Sequence, residues 1–159
     1  MKIECVRVAV VRLALAMMLG LIVVSGYVVT PLLFAKLATS AEAGNLAGEL
    51  FHLVNTGTLI LAAAVAGFWV RIKGLGRLNW SLLIVVALFL ALNEFVLFPQ
   101  LAEIKAQIGP IDQLADDDVR RIQFGTLHGV SAALHLLAAI ASVILVMLGG
   151  EKRGSCKKS

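Results

Sequence analysis

The chain has 159 residues, 60% of them hydrophobic, and a mean hydropathy of +0.94. A soluble domain is about 45–50% apolar, so this composition points to the bilayer as solvent and excludes a disordered or ordinary soluble protein. The net charge of +4 and the isoelectric point near 9.4 do not imply nucleic acid, because the basic residues gather at the ends of apolar runs and form no basic face with interleaved aromatics.

The first apolar run predicts a span over about residues 13–35, preceded by Lys2, Arg7 and Arg12. A signal peptide has an apolar core of about 7–15 residues. This run is much longer, which favours a retained span over cleavage near Ala38–Ala43. Pro31 is expected to kink or end the helix near the outer surface. The second span, residues 44–70, opens on the small-residue pattern Gly44-x-x-x-Gly48, suited to close helix packing. It stops before Arg71, Lys73 and Arg77, with Gly74 and Gly76 punctuating the connection.

Trp80 stands at the start of the third span, residues 79–98, as interfacial tryptophans do. This span is expected to end at Phe98-Pro99. A long loop from Gln100 to Val119 follows, with a Gly109-Pro110 turn and the Asp116-Asp117-Asp118 run, whose carboxylates suit the positive N-terminus of the next helix. The fourth span covers about residues 121–148, and Gly149-Gly150 and a basic tail complete the chain. Residues 1–159 are thus read as a single all-α transmembrane domain, a four-helix bundle in up-down-up-down order. At about 20 residues per crossing, the four spans use nearly all of it.

Ten of the fourteen lysines and arginines lie in the N-terminus, the second loop and the tail; Lys36, Lys105, Arg120 and Arg121 lie on the other side. The positive-inside rule therefore predicts N- and C-termini in the cytoplasm, an external acidic loop, and a multi-pass protein of the plasma (cell inner) membrane. Cys5 and Cys156 would then face the cytoplasm, where thiols stay reduced, and neither is read as a ligand.

Ionisable residues inside a span are costly and face the bundle interior, a partner or water. Glu49 and His52 lie on the second span, Asn93 and Glu94 on the third, and His128, Ser131 and His135 on the fourth. Helical geometry puts Glu49, His52 and Thr56 on one face, and Arg121, Phe124, His128, Ser131 and His135 in one stripe. Counting from the expected outer ends, Glu49 and Glu94 lie roughly 8 Å down and His52 and His128 roughly 10–12 Å, with His135 deeper. Glu49, His52, Glu94 and His128 are therefore expected to converge in the outer half, with Asn93, Arg121, Ser131 and His135 in support.

Three readings of that cluster stay open. The side chains pair helices (Glu–His and Glu–Arg121), with Asn55, Thr56, Thr58, Asn93 and Ser131 as hydrogen-bond glue. Alternatively they bind: one Glu-x-x-His motif is too little for a di-iron site, but His52 and His128 are placed to hold a transition metal or a haem. His128 and His135, on one face and about 10 Å apart, cannot share an iron. The third reading is a proton or solute path in a transporter or export accessory, for which four spans imply a homo-oligomer or a membrane partner. An enzyme is disfavoured, as no nucleophile–base pair or phosphate-cradling loop is visible.

The runs Pro31-Leu-Leu-Phe34, Gly44, Gly48-Glu-Leu-Phe51 and Phe124-Gly-Thr-Leu-His128-Gly-Val-Ser131, on four spans, resemble the transmembrane protein 205-like family, a domain of unknown function. The likeness runs from about Gly20 to Leu148. It implies a multi-pass membrane protein without an assigned reaction, some of whose members are associated with drug resistance and vesicle traffic. The family pattern carries an Asn where this chain has His135, so the resemblance does not make His135 an obligatory ligand.

Overall fold

Proline cannot donate to a helix ladder, and its ring collides with the carbonyl four residues earlier; this chain carries two such prolines through helices that do not stop. The structure, a computed structural model, describes residues 3–71, 76–108 and 111–148. Helix α1 (Ile3–Val24) passes through a π turn (Ser25–Val29) into α2 (Thr30–Lys36). Likewise α4 (Arg77–Leu92) passes through a second π turn (Asn93–Leu97) into α5 (Phe98–Ile108). In each case the ladder widens just ahead of the proline, so that Thr30 N–H reaches Ser25 O and Phe98 N–H reaches Asn93 O. Pro31, expected to kink or end its helix, is accommodated by the π turn; the expected end at Phe98-Pro99 is corrected, and residues 100–108, read as loop, continue the third rod. The Gly74 and Gly109-Pro110 turns, Lys73, Gly149-Gly150 and the basic tail with Cys156 lie outside the described residues. Cys5 is disulfide-bonded, which corrects its reading as a reduced thiol.

Helix α3 (Ser40–Trp69) begins four residues before the expected Gly44. Thr39 caps it by accepting from Glu42 N–H at 3.1 Å, and Glu42 three residues on gives the Thr-x-x-Glu signature of a capping box. Helix α6 (Val119–Leu148) is capped by Asp118, which accepts from Arg120 N–H at 2.8 Å. The expected aspartate cap is found there, two residues before the predicted start. That N–H, followed by the Arg120 side chain, holds the Asp118 carboxyl below the ordinary carboxylate range. The sign follows from linkage: the cap contributes fully above the unfolded value of about 3.9 and is lost as pH falls through the lower folded value. Asp118→Ala should therefore lower the thermal midpoint in detergent at neutral pH, with the difference from the parent vanishing in strong acid.

Four rods of 30–32 residues are long and apolar enough to cross a membrane. Helix α1 packs on α3 and α6, and α4 packs on α6 and α3, so the four long helices close a ring. The chain is an all-helical integral membrane protein. Val11, Leu15, Met18 and Ile22 of α1 meet Val65 and Trp69 of α3, Leu83, Val86 and Leu90 of α4, and Ala138, Ala141 and Leu145 of α6 in a buried apolar core. Trp69 and Trp80 close its end edge to face, 5.5 Å apart. Leu53, Ile60, Ile84 and Met147 point outward, as lipid-facing residues should. The apolar core occupies the half holding the α3–α4 connection. Most of the buried polar residues lie towards the other half.

Candidate functional site

Glu94 sits on the second π turn, and its side chain is only 4% exposed. The wider turn places two consecutive polar side chains against different neighbours. Asn93 Nδ2 donates to Ser131 O of α6 at 3.2 Å, while Glu94 faces α3. There Nδ1 of His52 hydrogen-bonds Oε1 of Glu94, and Asn55 Nδ2 donates to Oε2 at 3.2 Å. His52 and Asn55, three apart, share a helix face. His52 also stacks on Phe98, with ring centroids 5.6 Å apart, and leaves 53% of its side chain exposed. The buried acceptors Asn55 Oδ1 and Asn93 Oδ1 have no hydrogen-bond partner among the described residues.

The first π turn carries a second polar centre. Ser25 Oγ donates to Leu21 O at 2.6 Å, and Ile22 O accepts from His135 Nε2–H at 3.1 Å. His135 is buried, edge-on to Phe51 at 4.9 Å and tilted against Tyr27 at 6.4 Å. Gly26 makes room for the ring: a Cβ there would lie 2.9 Å from His135 Nε2. Each π turn thus receives a histidine from a neighbouring rod, His52 from α3 at the second and His135 from α6 at the first.

Of the four residues expected to converge, His52 and Glu94 meet, and Glu49 and His128 stand apart. Glu49 is exposed on α3 and, among the described residues, has no hydrogen-bond or ion-pair partner. His128 is exposed, its ring stacked on Phe124 at 5.9 Å. Among the described residues, no three His, Cys, Asp or Glu side chains come together as a metal-holding group. The reason is one of level. With α5 continuing to Ile108, Glu94 lies roughly 21 Å from the end of its rod and His52 roughly 18 Å from Ser40, but Glu49 and His128 only about 14 Å from theirs. Arg121 pairs with Asp116 at 2.7 Å and donates to Leu114 O at 2.7 Å, not with a glutamate. Ser131 contributes its carbonyl.

Two residues gained roles beyond those assigned from sequence. Asn55, read as interhelical glue, is that and more specific: its partner is the buried Glu94 carboxylate. Lys105 donates to Gly44 O at 3.0 Å and lies 5.8 Å from the Phe124 ring, tying α5 to α3 and α6; its only sequence signal was a lone lysine in a stretch read as loop.

A family model, described as a domain of unknown function (DUF4149), matches residues 13–110. The match takes in His52, Asn55, Asn93 and Glu94 and stops before α6. No curated protein and no solved structure matches the chain.

Proposed function

The chain belongs to the DUF4149 family, and we propose from the geometry around Glu94 that it works as a proton-loaded membrane protein, a transporter or export accessory in which Glu94 takes up a proton through His52. One observation carries the reading: a buried carboxylate shares a hydrogen bond with an imidazole that is half exposed. His52 receives the proton at Nε2, on its open side, and passes one from Nδ1 to Glu94 Oε1. Asn55 donates to Oε2 and holds the carboxyl in place before and after the transfer. On the other side of Glu94, Leu90, Val86, Leu83 and Trp69 belong to the buried apolar core, so in this reading the site loads from one face. The up-down-up-down order, cytoplasmic termini and plasma-membrane location expected from the basic residues make that the outer face. Kinship with the transmembrane protein 205-like family belongs to the same reading.

A metal or haem held by His52 and His128 has less support. Nδ1 of His52 is engaged by Glu94, and His128 lies nearer the rod end against Phe124. The test is infrared difference spectroscopy of the full chain in lipid vesicles during acidification. A protonated-carboxyl band should grow, should be missing in Glu94→Gln and should persist in Glu103→Gln. His52→Phe should slow its growth at least tenfold. Identical bands in the parent and Glu94→Gln would sink the proposal.

A further inference from the structure

Buried polar atoms in a folded chain almost always find a partner. Near Glu94, Asn55 Oδ1, Thr58 Oγ1 and Asn93 Oδ1 have none among the described residues, although Asn55 is 5% exposed, Thr58 0% and Asn93 4%. All three atoms are oxygens. Asn55 already touches the carboxylate through Nδ2, and Thr58, three residues on, is its neighbour on the buried stripe of α3. Asn93 precedes Glu94 on the π turn, and its Nδ2 is spent on Ser131 O. Leu90 and Leu97 are buried a turn to either side, so the face of the third rod that carries Asn93 and Glu94 looks into the bundle.

We propose that these oxygens, with Oε2 of Glu94, form a binding site for a small monovalent cation, Na+, taken up in exchange for the proton. Donor chemistry selects the class, because carboxylate, carboxamide and hydroxyl oxygens suit hard cations. Charge selects the valence. Glu94 supplies one negative charge and His52 donates to it as a neutral ring, so a single positive charge balances the site, while a divalent ion would leave excess charge within hydrocarbon. Size follows from spacing. Asn55 Nδ2 stands 3.2 Å from Oε2, and turning the carboxamide over puts Oδ1 there instead. Two oxygens at that spacing share one cation about 2.3–2.6 Å from each, the range of the similarly sized Ca2+. Oxygens beside an interrupted helix ladder hold Na+ in secondary transporters in the same way. Of the ionisable side chains on α3 and α6, which pack on this π turn, His52 bonds Glu94, His135 bonds Ile22 O and Arg121 bonds Asp116. Glu42, Glu49, Arg120 and His128 lie nearer the rod ends. Protonation of the His52–Glu94 pair and Na+ binding therefore exclude each other. The inference rests on Glu94 as the loaded group of the proton reading, but cation binding is measured separately from proton uptake.

The test compares the purified full chain in lipid nanodiscs in sodium, potassium and choline chloride at equal ionic strength and neutral pH. Sodium should raise the thermal midpoint, since a ligand of the native state stabilises it, and radioactive sodium should bind at one ion per chain. Potassium and choline should give no such rise. Glu94→Gln should abolish both sodium effects. Thr58→Val removes a buried hydroxyl without a partner, so in choline it should melt no lower than the parent, while its sodium affinity falls about tenfold. Ser142→Val removes another buried, unpartnered hydroxyl, roughly 17 Å along α6 from Ser131, and should leave sodium binding unchanged. Equal midpoints in the three salts, or undiminished sodium binding in either Glu94→Gln or Thr58→Val, would overturn the inference. A Glu94 protonation band in a protein that binds no sodium would keep the proton reading and remove the cation site. Sodium binding without that band would do the reverse.

Discussion

Glu94→Leu is expected to destabilise the protein by about 2–3 kcal/mol, whereas Glu94→Gln costs under about 1 kcal/mol. Leucine fills the volume but leaves Asn55 Nδ2, buried, and His52 Nδ1 without their acceptors. A buried donor stranded in this way costs about 1–3 kcal/mol. The half-exposed His52 contributes at the low end of that range. Glutamine keeps an oxygen for Asn55 and an N–H that a neutral His52 Nδ1 can accept, so both bonds survive while the ionisable group is lost. The two variants therefore separate the site's structural share from its chemical share. Unfolding in detergent reads the first, and the protonation band reads the second. Asn55→Leu combined with Glu94→Leu should recover part of the loss, because replacing both partners with apolar groups is close to neutral. A Glu94→Leu protein as stable as the parent would show that the His52–Glu94–Asn55 bonds do not hold α3 to the third rod.

The same site shows how far sequence reasoning reached. Apolar windows are periodic and long, so the four rods were legible, as was the Asp118 cap. His52 and Glu94 were legible as well, since ionisable residues stand out against hydrocarbon. What escaped was the response to proline. From sequence, Pro31 read as a kink or an end and Pro99 as a helix end, because the usual ladder cannot continue through a proline. Widening by one residue accommodates them, a solution that leaves no mark in composition. That single local choice lengthened the third rod to Ile108, so Glu94 lies deeper than a count from Pro99 gives, and it meets His52 and Asn55 rather than Glu49 and His128. The role of Asn55 was hidden for a second reason. A buried asparagine looks the same in sequence whether it bonds a backbone carbonyl or a carboxylate, and only the rotation of α3 against α4 decides between them.

Those π turns also set the other large effect, at Gly26. Gly26→Ala is expected to cost about 2–3 kcal/mol, even though alanine favours helices over glycine. The added Cβ would stand 2.9 Å from His135 Nε2 and 3.1 Å from Cδ2. The ring cannot swing away cheaply, because Phe51 meets it edge-on and Tyr27 lies against it. Overpacking costs about 1–3 kcal/mol, and displacing the ring also breaks its bond to Ile22 O, worth roughly another 1 kcal/mol. If the collision is the cause, the two residues must be coupled. His135→Ala alone leaves a cavity and destabilises, yet in that background Gly26→Ala should cost almost nothing, giving a cycle non-additive by about 2–3 kcal/mol. Simple additivity would mean that Gly26 serves the backbone of the π turn and not the seat of the histidine. Strong coupling would establish that the first π turn is built around its histidine, in contrast to the second of the two π turns. One, at Glu94, is open on its outer side through His52, and the other, at Ser25, is closed around His135.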